Sequence, residues 1–342
     1  MDKTTSNKIK TINPIVWWLS VIVLLVLLPF LTVNLYQMHL LNIICINIIM
    51  AIGLNIVKGF AGQVTVAHIG LYAVGAYSSA IFSINFGFPF WIAMPLAIII
   101  TVIAGAIVGL PSFRLQGPYL ALATLAFSES LRIYISVNTD LGATIGISNI
   151  PPPDIGNFSF HSASSYYYIV MPFTLFGIYI SFKILNSKLG RAFKAIREDQ
   201  MAASAIGINL RRYKLLAFII SAVYAGLAGS LYAHLEPGFI HPNNFTLQES
   251  VIYILMLVIG GIGHIWGCIV GAAFITIIWD LTREYYQYQL IIFGLIMMIT
   301  VIYFPIGVGG FFDRYFITKK FKIKQKETID KTKKKEILDG SA

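Results

Sequence analysis

Long apolar runs joined by short polar connections make up most of this chain, and the runs are continuous rather than alternating. Runs of about 20 residues match a hydrocarbon core of about 30 Å. In lipid only helices and closed barrels satisfy the backbone, and unbroken apolarity selects helices. The pattern predicts ten spans, at about 15–35, 39–57, 64–84, 89–111, 118–137, 166–186, 212–234, 249–262, 264–281 and 287–306. The third is interrupted by Thr65 and His68, and the eighth and ninth divide at GGIGHIWG. The first run is too long for a cleavable signal, and no small-x-small site follows it.

One segment breaks the pattern. GRAFKAIREDQMAASAIGIN, residues 190–209, places Arg191, Lys194, Arg197, Glu198 and Asp199 between two apolar runs. Its residues favour helix. Phe193, Ile196, Ala203 and Gly207 fall near one face, with Arg191, Lys194, Arg197 and Glu198 on another. A helix lying on lipid would bury Leu, Phe and Trp. A face of Ala and Gly instead suits the close approach of another protein, so a docking helix is expected.

Charge orients the spans. With the N-terminus inside, 23 of the 25 Lys and Arg fall at cytoplasmic positions, as the positive-inside rule requires. The exceptions are Arg132, inside a span, and Arg283, in a short outer connection. The outer connections around 36–38, 84–88, 138–165 and 235–248 hold no Lys or Arg. The expected plan is an all-α integral membrane protein with both termini cytoplasmic. Residues 1–14 form an inner segment, 15–306 a transmembrane domain carrying the inner segment 187–211, and 314–342 a basic tail.

Composition closes off other classes. The chain is 57% hydrophobic and 12% charged, with a mean hydropathy of +0.76; an ordinary soluble domain is far less apolar. The net charge of +10 does not point to nucleic acid, because the cationic tail has no interleaved aromatics to stack bases; contact with membrane lipid is expected there. Cys45 and Cys268 lie in apolar runs and offer neither a disulfide framework nor metal spacing. No cofactor and no metal are expected. No GxxxxGK[ST] exists to bind ATP, and no HExxH or GxSxG signature exists for hydrolysis.

Three motifs remain. Glycines at 53, 59, 62, 70 and 75 let helix backbones approach closely, and a similar pattern at 258–273 is compatible with an internal repeat. Glu129 lies about 16 Å into its span at 1.5 Å per residue, three residues before Arg132. That spacing allows a pair, either structural within the bundle or facing a polar path. His68 is either a proton relay or, as a lone His without a nearby carboxylate, hydrogen-bonded to a neighbouring helix.

Blocks in order from about Asn42 to Phe311 resemble the permease subunits of branched-chain amino-acid ABC importers. They include GLNIVKGFAGQ (53–63), HIGLYAVGAY (68–77), YLALATLAF (119–127) with Glu129 and Arg132, GISNIPPP (146–153), LGRAFKAIREDQMAASAIGIN (189–209), FTLQES (245–250) and VIGGIGHIWG (258–267). Of the two paralogous permeases in such systems, GISNIPPP and REDQMAASAIGIN look like the M-type. The resemblance implies a fold like the vitamin B12-type importer permeases in a bacterial plasma membrane. It also implies a heterodimer with the paralogous permease, two cytoplasmic ATPases and an extracytoplasmic binding protein. ATPase coupling would then involve Gly190, Arg191, Arg197, Glu198, Ala202, Ala203, Gly207 and Asn209. Candidates for the translocation path are Thr65, His68, Tyr72, Thr124, Ser128, Glu129 and Arg132. Two departures, Ala67 where Gly is usual and Leu141-Gly142-Ala143 where Thr-Gly-Gly is usual, bear on the substrate rather than on transport.

The expected function is import of Leu, Ile and Val without catalysis by this chain. The alternatives are the same machine for urea, amides or other amino acids, and an ion-coupled transporter working alone. The topology is directly testable. In intact cells a single cysteine at Ser162 reacts with an impermeant thiol reagent, while cysteines at Ser6, Ser187 and Ser341 stay protected; labelling at Ser187 from outside would sink the orientation.

Overall fold

The computed structural model describes residues 34–156, 158–304 and 307–310. The expected first span, except its last two residues, lies outside the described residues, as do the inner segment 1–14 and the tail at 314–342. The other nine expected spans each fall on a helix. These are α1 (Leu35–Leu54), α2 (His68–Ile84), α3 (Phe90–Gly109), α4 (Pro118–Val137), α5 (Ala163–Leu185), α8 (Leu210–Ala233), α9 (Leu247–Gly260), α10 (Ile265–Leu281) and α11 (Tyr286–Tyr303). Between α5 and α8 lie two shorter helices, α6 (Lys188–Glu198) and α7 (Gln200–Ala205). Among the described residues six helices are long and apolar enough to cross a membrane, while α2, α9 and α10 are shorter apolar helices.

Helix α8 is the centre of the packing, with α1, α2 and α3 against it. Its buried stripe of Ala222, Ala225, Gly226, Ala228 and Gly229 explains why. In lipid no hydrophobic effect drives helices together, so close backbone contact through small residues does. A Cβ on Gly75 of α2 would lie 2.7 Å from the Gly226 Cα, and one on Gly229 would lie 2.5 Å from the Tyr72 carbonyl oxygen. Both positions admit only hydrogen. By contrast α4 is largely uncovered, with Tyr119, Leu122, Ile133, Tyr134 and Val137 exposed.

The connections gather in two groups. The Lys/Arg-free loops before α5 and before α9 pair with each other through the Ile147–Ile240 bridge. The Ile150 N–H donates to the Gly238 carbonyl at 3.1 Å, and His234 Nδ1 lies 2.7 Å from the Pro151 carbonyl. A hairpin of β1 (Asp154–Ile155) and β2 (Phe158–Ser159), with Asp154 opposite Ser159, caps this end. At the far end of α8, about 36 Å away for a 24-residue helix, the cationic connections meet instead. The Lys/Arg-free loops around Ile147 and Ile240 and the cationic connections thus sit at opposite ends of α8.

The small-residue seam gives a direct test. Gly75→Ala or Gly229→Ala should cost about 1–3 kcal/mol through overpacking, read as a lowered melting temperature in detergent micelles. Gly294→Ala in α11, whose added Cβ meets nothing within 4 Å, should be neutral or slightly stabilising. Equal effects at the two kinds of site would refute the seam.

Candidate coupling junction and translocation face

Two helices of the cationic end stop before they should, and their breaks meet. After Leu54, α1 continues as π-helix over Asn55–Phe60; such turns cluster at functional sites. Residues 61–67 then run without regular structure to α2, yet Gln63, Thr65 and Ala67 are buried. The second break is GIGH, 261–264, between α9 and α10. Asn55 joins them. Its Oδ1 accepts from the Gly263 N–H at 2.8 Å, and its Nδ2 donates to the His264 carbonyl at 3.3 Å. A Cβ on Gly59 would collide with the Asn55 side chain. The two Gly-rich segments that hinted at a repeat thus contact each other at their irregular turns.

The charged segment is seated on this junction by Arg197, whose guanidinium donates to the Gly59 carbonyl. The arginine lies over Gly62, where a Cβ would come within 3.1 Å of the Arg197 Cα, and against Gly263, where a Cβ would meet the guanidinium. Gly62 and Gly263 have φ of +66° and +90°, so glycine serves both the turn and the approach.

The segment is not the single helix expected over 190–209. Asp199 takes an extended backbone, φ −153°, and its side chain caps a new helix by accepting from the Met201 and Ala202 N–H groups at 2.7 and 3.1 Å. An N-cap aspartate satisfies donors that a continuous helix would pair internally. The expected face divides accordingly. Phe193, Ile196 and Ala203 are buried in the chain itself, whereas Gly207 has φ +87° and open space around it as the turn after α7. Gly190 packs on the Leu185 backbone, and Asn209 caps α8 by accepting from the Arg212 N–H at 3.1 Å. Arg191, Glu198 and Ala202 remain exposed. Sequence reasoning missed the apolar tip: Met201 is 86% and Ile206 75% exposed.

The path candidates separate into three groups. Thr65 accepts from the Ala67 N–H at 3.1 Å and shapes the first break. Thr124 accepts from the Val66 N–H at 3.0 Å, and Ser128 donates to the Val66 carbonyl at 3.2 Å. Both anchor α4 to the break. Ser250 of α9 reaches the same carbonyl at 3.4 Å. His68 Nε2 lies 3.0 Å from the Met50 carbonyl, and Nδ1 lies 2.9 Å from the Ser221 hydroxyl. A carbonyl only accepts, so Nε2 carries the proton and Nδ1 accepts from Ser221. The histidine is held between α1 and α8, as the neighbouring-helix reading expected.

Glu129 and Arg132 do pair, with Arg132 Nε donating to Glu129 Oε1 at 2.9 Å. They are not enclosed among the described helices: the Arg132 and Glu129 side chains are 24% and 36% exposed, beside the uncovered residues of α4. Tyr72 stands elsewhere, in a wall of rings with Tyr232, Phe245 and Tyr253 at centroid separations of 5.5, 5.4 and 6.2 Å. It lines a cavity together with Asn47, Glu249 and Tyr253. Sequence reasoning quoted Glu249 inside FTLQES but gave it no role. Its one local signal was an acid in the first turn of an otherwise apolar helix.

Comparison with known proteins follows the same outline. The family described as "Branched-chain amino acid transport system / permease component" matches residues 36–301. The chain is 32% identical over 322 residues to the "High-affinity branched-chain amino acid transport system permease protein LivM" of Escherichia coli (strain K12), covering 87% of this chain and 75% of the relative. It is 27% identical over 235 residues to the "Probable branched-chain amino acid transport permease protein LivM" of Methanocaldococcus jannaschii, covering 64% and 67%. Against the E. coli permease protein LivH it is 24% identical over 283 residues, covering 77% and 90%.

The junction makes its own prediction. Asn55→Ala strips the Gly263 N–H and His264 carbonyl of their partner and should cost about 1–3 kcal/mol. Arg191→Gln, on the exposed face of α6, should stay within about 0.5 kcal/mol. Thermal unfolding of the two variants distinguishes them, and an unaltered melting temperature for Asn55→Ala would remove the junction's structural role.

Proposed function

The chain belongs to the family of branched-chain amino acid transport system permease components, and from this we infer that it is the M-type permease subunit of an ATP-driven importer for Leu, Ile and Val. The observation that carries the reading is the match to LivM over most of the chain, stronger than the match to LivH. The machine operates in the inner membrane of a bacterium, with both termini of this chain in the cytoplasm and ten spans in the vitamin B12-type arrangement. The chain itself hydrolyses no ATP, which two cytoplasmic ATPases do for it.

The uncovered face of α4 supports a second, paralogous permease as its neighbour, with the translocation path between them. There the Glu129–Arg132 pair gives the path a polar lining whose charges compensate each other. An extracytoplasmic binding protein docks on the cation-free cap formed around the Ile147–Ile240 bridge. At the opposite end the exposed tip of α7 inserts into the ATPase. Arg197 then acts on the inner side, holding that tip to the two helix breaks rather than to the partner.

This division of labour changes which mutation tests docking. Ala203→Trp would disturb the chain's own core, because Ala203 is 2% exposed. Met201→Lys and Ile206→Lys alter only the exposed tip, so the chain should insert and purify normally. The partner ATPase should be lost on co-purification, and ATP-dependent leucine uptake into proteoliposomes should fall at least tenfold. Glu198→Lys, a charge at the rim, should act more weakly and with a salt dependence. Full ATPase retention in both tip variants would reject the docking role. Leucine uptake by this chain reconstituted alone would reject the ATP-driven reading.

A further inference from the structure

A cavity of about 440 Å³ lies between α1, α9 and α10, within the range of about 300–1,000 Å³ usual for small-molecule sites. It reaches from the exposed Tyr36 on α1 down to the buried Asn47, Tyr72 and Met256. Along α1 that is a depth of about 16 Å at 1.5 Å per residue. At the mouth Tyr36 donates to Asp280, and Arg283 stands beside them. The site is distinct from the uncovered α4 face.

Most polar groups of its wall are already committed. Tyr253 donates to Asn47 Oδ1 at 3.1 Å, and Asn47 Nδ2 donates to Thr276 Oγ1 at 2.9 Å. The Thr276 hydroxyl in turn donates to the Ala272 carbonyl at 2.7 Å. The Tyr232 hydroxyl accepts from Asn244 at 2.8 Å. Glu249, the acid beside these tyrosines, is not committed. Among the described residues its carboxylate receives no hydrogen bond and no ion pair, and it lines the cavity beside Tyr72, Tyr232 and Tyr253.

An unpaired carboxylate among tyrosine rings is chemistry for an ammonium group. The carboxylate supplies the counter-charge and the acceptor, and ring faces attract a cation further. A metal ion is a poor fit, since the described residues hold no cluster of three or more His, Cys, Asp or Glu and hard cations need several oxygen ligands. Ile43, Ile252 and Met256 supply an apolar wall, the last two one helical turn apart on α9. We propose that this cavity binds one free α-amino acid with an apolar side chain, its ammonium on Glu249 within the tyrosine rings and its side chain along Ile252 and Met256. Arg283 at the mouth attracts the carboxylate end on approach. The inference rests on the import role above and places a substrate subsite inside this single subunit rather than on the face shared with the second permease.

The test uses the assembled importer in lipid nanodiscs without the soluble binding protein, with radiolabelled L-leucine in equilibrium dialysis. Glu249→Gln should weaken leucine binding at least tenfold. Leucinamide, which keeps the ammonium, should compete on the unaltered complex, and 4-methylpentanoate, which lacks it, should not. Without ligand the Gln variant should melt no lower than the unaltered complex, since it removes an unpaired charge; a carboxylate serving the fold would melt lower when removed. Unchanged leucine binding in Glu249→Gln, a lowered melting temperature, or competition by 4-methylpentanoate would each overturn the subsite. If ATP-driven leucine uptake by the full importer persists, the import role survives that result. An importer that takes up no leucine at all overturns the role and the subsite together.

Discussion

Backbone that leaves the helix inside a membrane protein must find every hydrogen bond within the chain, and that constraint organises the cationic end of this fold. At Val66 the N–H is met by Thr124, and the carbonyl by Ser128 and Ser250. At the second break one side chain, Asn55, serves a donor and an acceptor together. Each of these bonds also ties the break to another helix. The π-helical turn, the two breaks, α4 and α9 are therefore linked, and Arg197 adds the charged segment through the Gly59 carbonyl.

The small-residue seam makes such links possible. Water is absent to drive helices together, so van der Waals contact must, and it grows as backbones approach. Gly75 and Gly229 bring α2 and α8 to a separation that any Cβ would forbid, and Gly226 lets α3 approach α8 at Ile98 and Thr101. The same closeness holds His68 between Met50 and Ser221, where its tautomer is set by its neighbours. Packing and polar satisfaction are one arrangement here.

What could be read from sequence follows from which forces are local. Lipid demands continuous apolarity over a whole helix, so nine apolar helices between Leu35 and Tyr303 were legible, the shorter α2, α9 and α10 included. The Glu129–Arg132 pair was legible because both partners sit on one turn, yet its outward placement was not, since that depends on what covers α4. The charged segment between α5 and α8 was found by its charge, but its face was misjudged. Asp199 read as one more charge on a helix, while in the fold it ends one helix and caps the next. That displaces every later position, turning Ala203 inward and leaving Met201 and Ile206 at the tip. The partners of His68 lie 18 and 153 residues away, and such distances leave no trace in a local pattern.

The ionisable groups show the same logic at its sharpest. A charge in low dielectric needs compensation. Glu129 and Arg132 compensate each other on one helix. Arg197 spends its proton on a backbone carbonyl that the π-helical turn has left free, a neutral partner suited to a group at the edge of the bundle. Glu249 has neither solution among the described residues, although its neighbours Asn47, Thr276, Tyr232 and Tyr253 are all satisfied. A fold that completes the hydrogen bonding of these four wall residues and leaves Glu249 without a partner among the described residues leaves that carboxylate open to a ligand. The rings around it narrow that partner to a cation, and the apolar wall of α9 narrows the cation to one that carries a hydrophobic side chain.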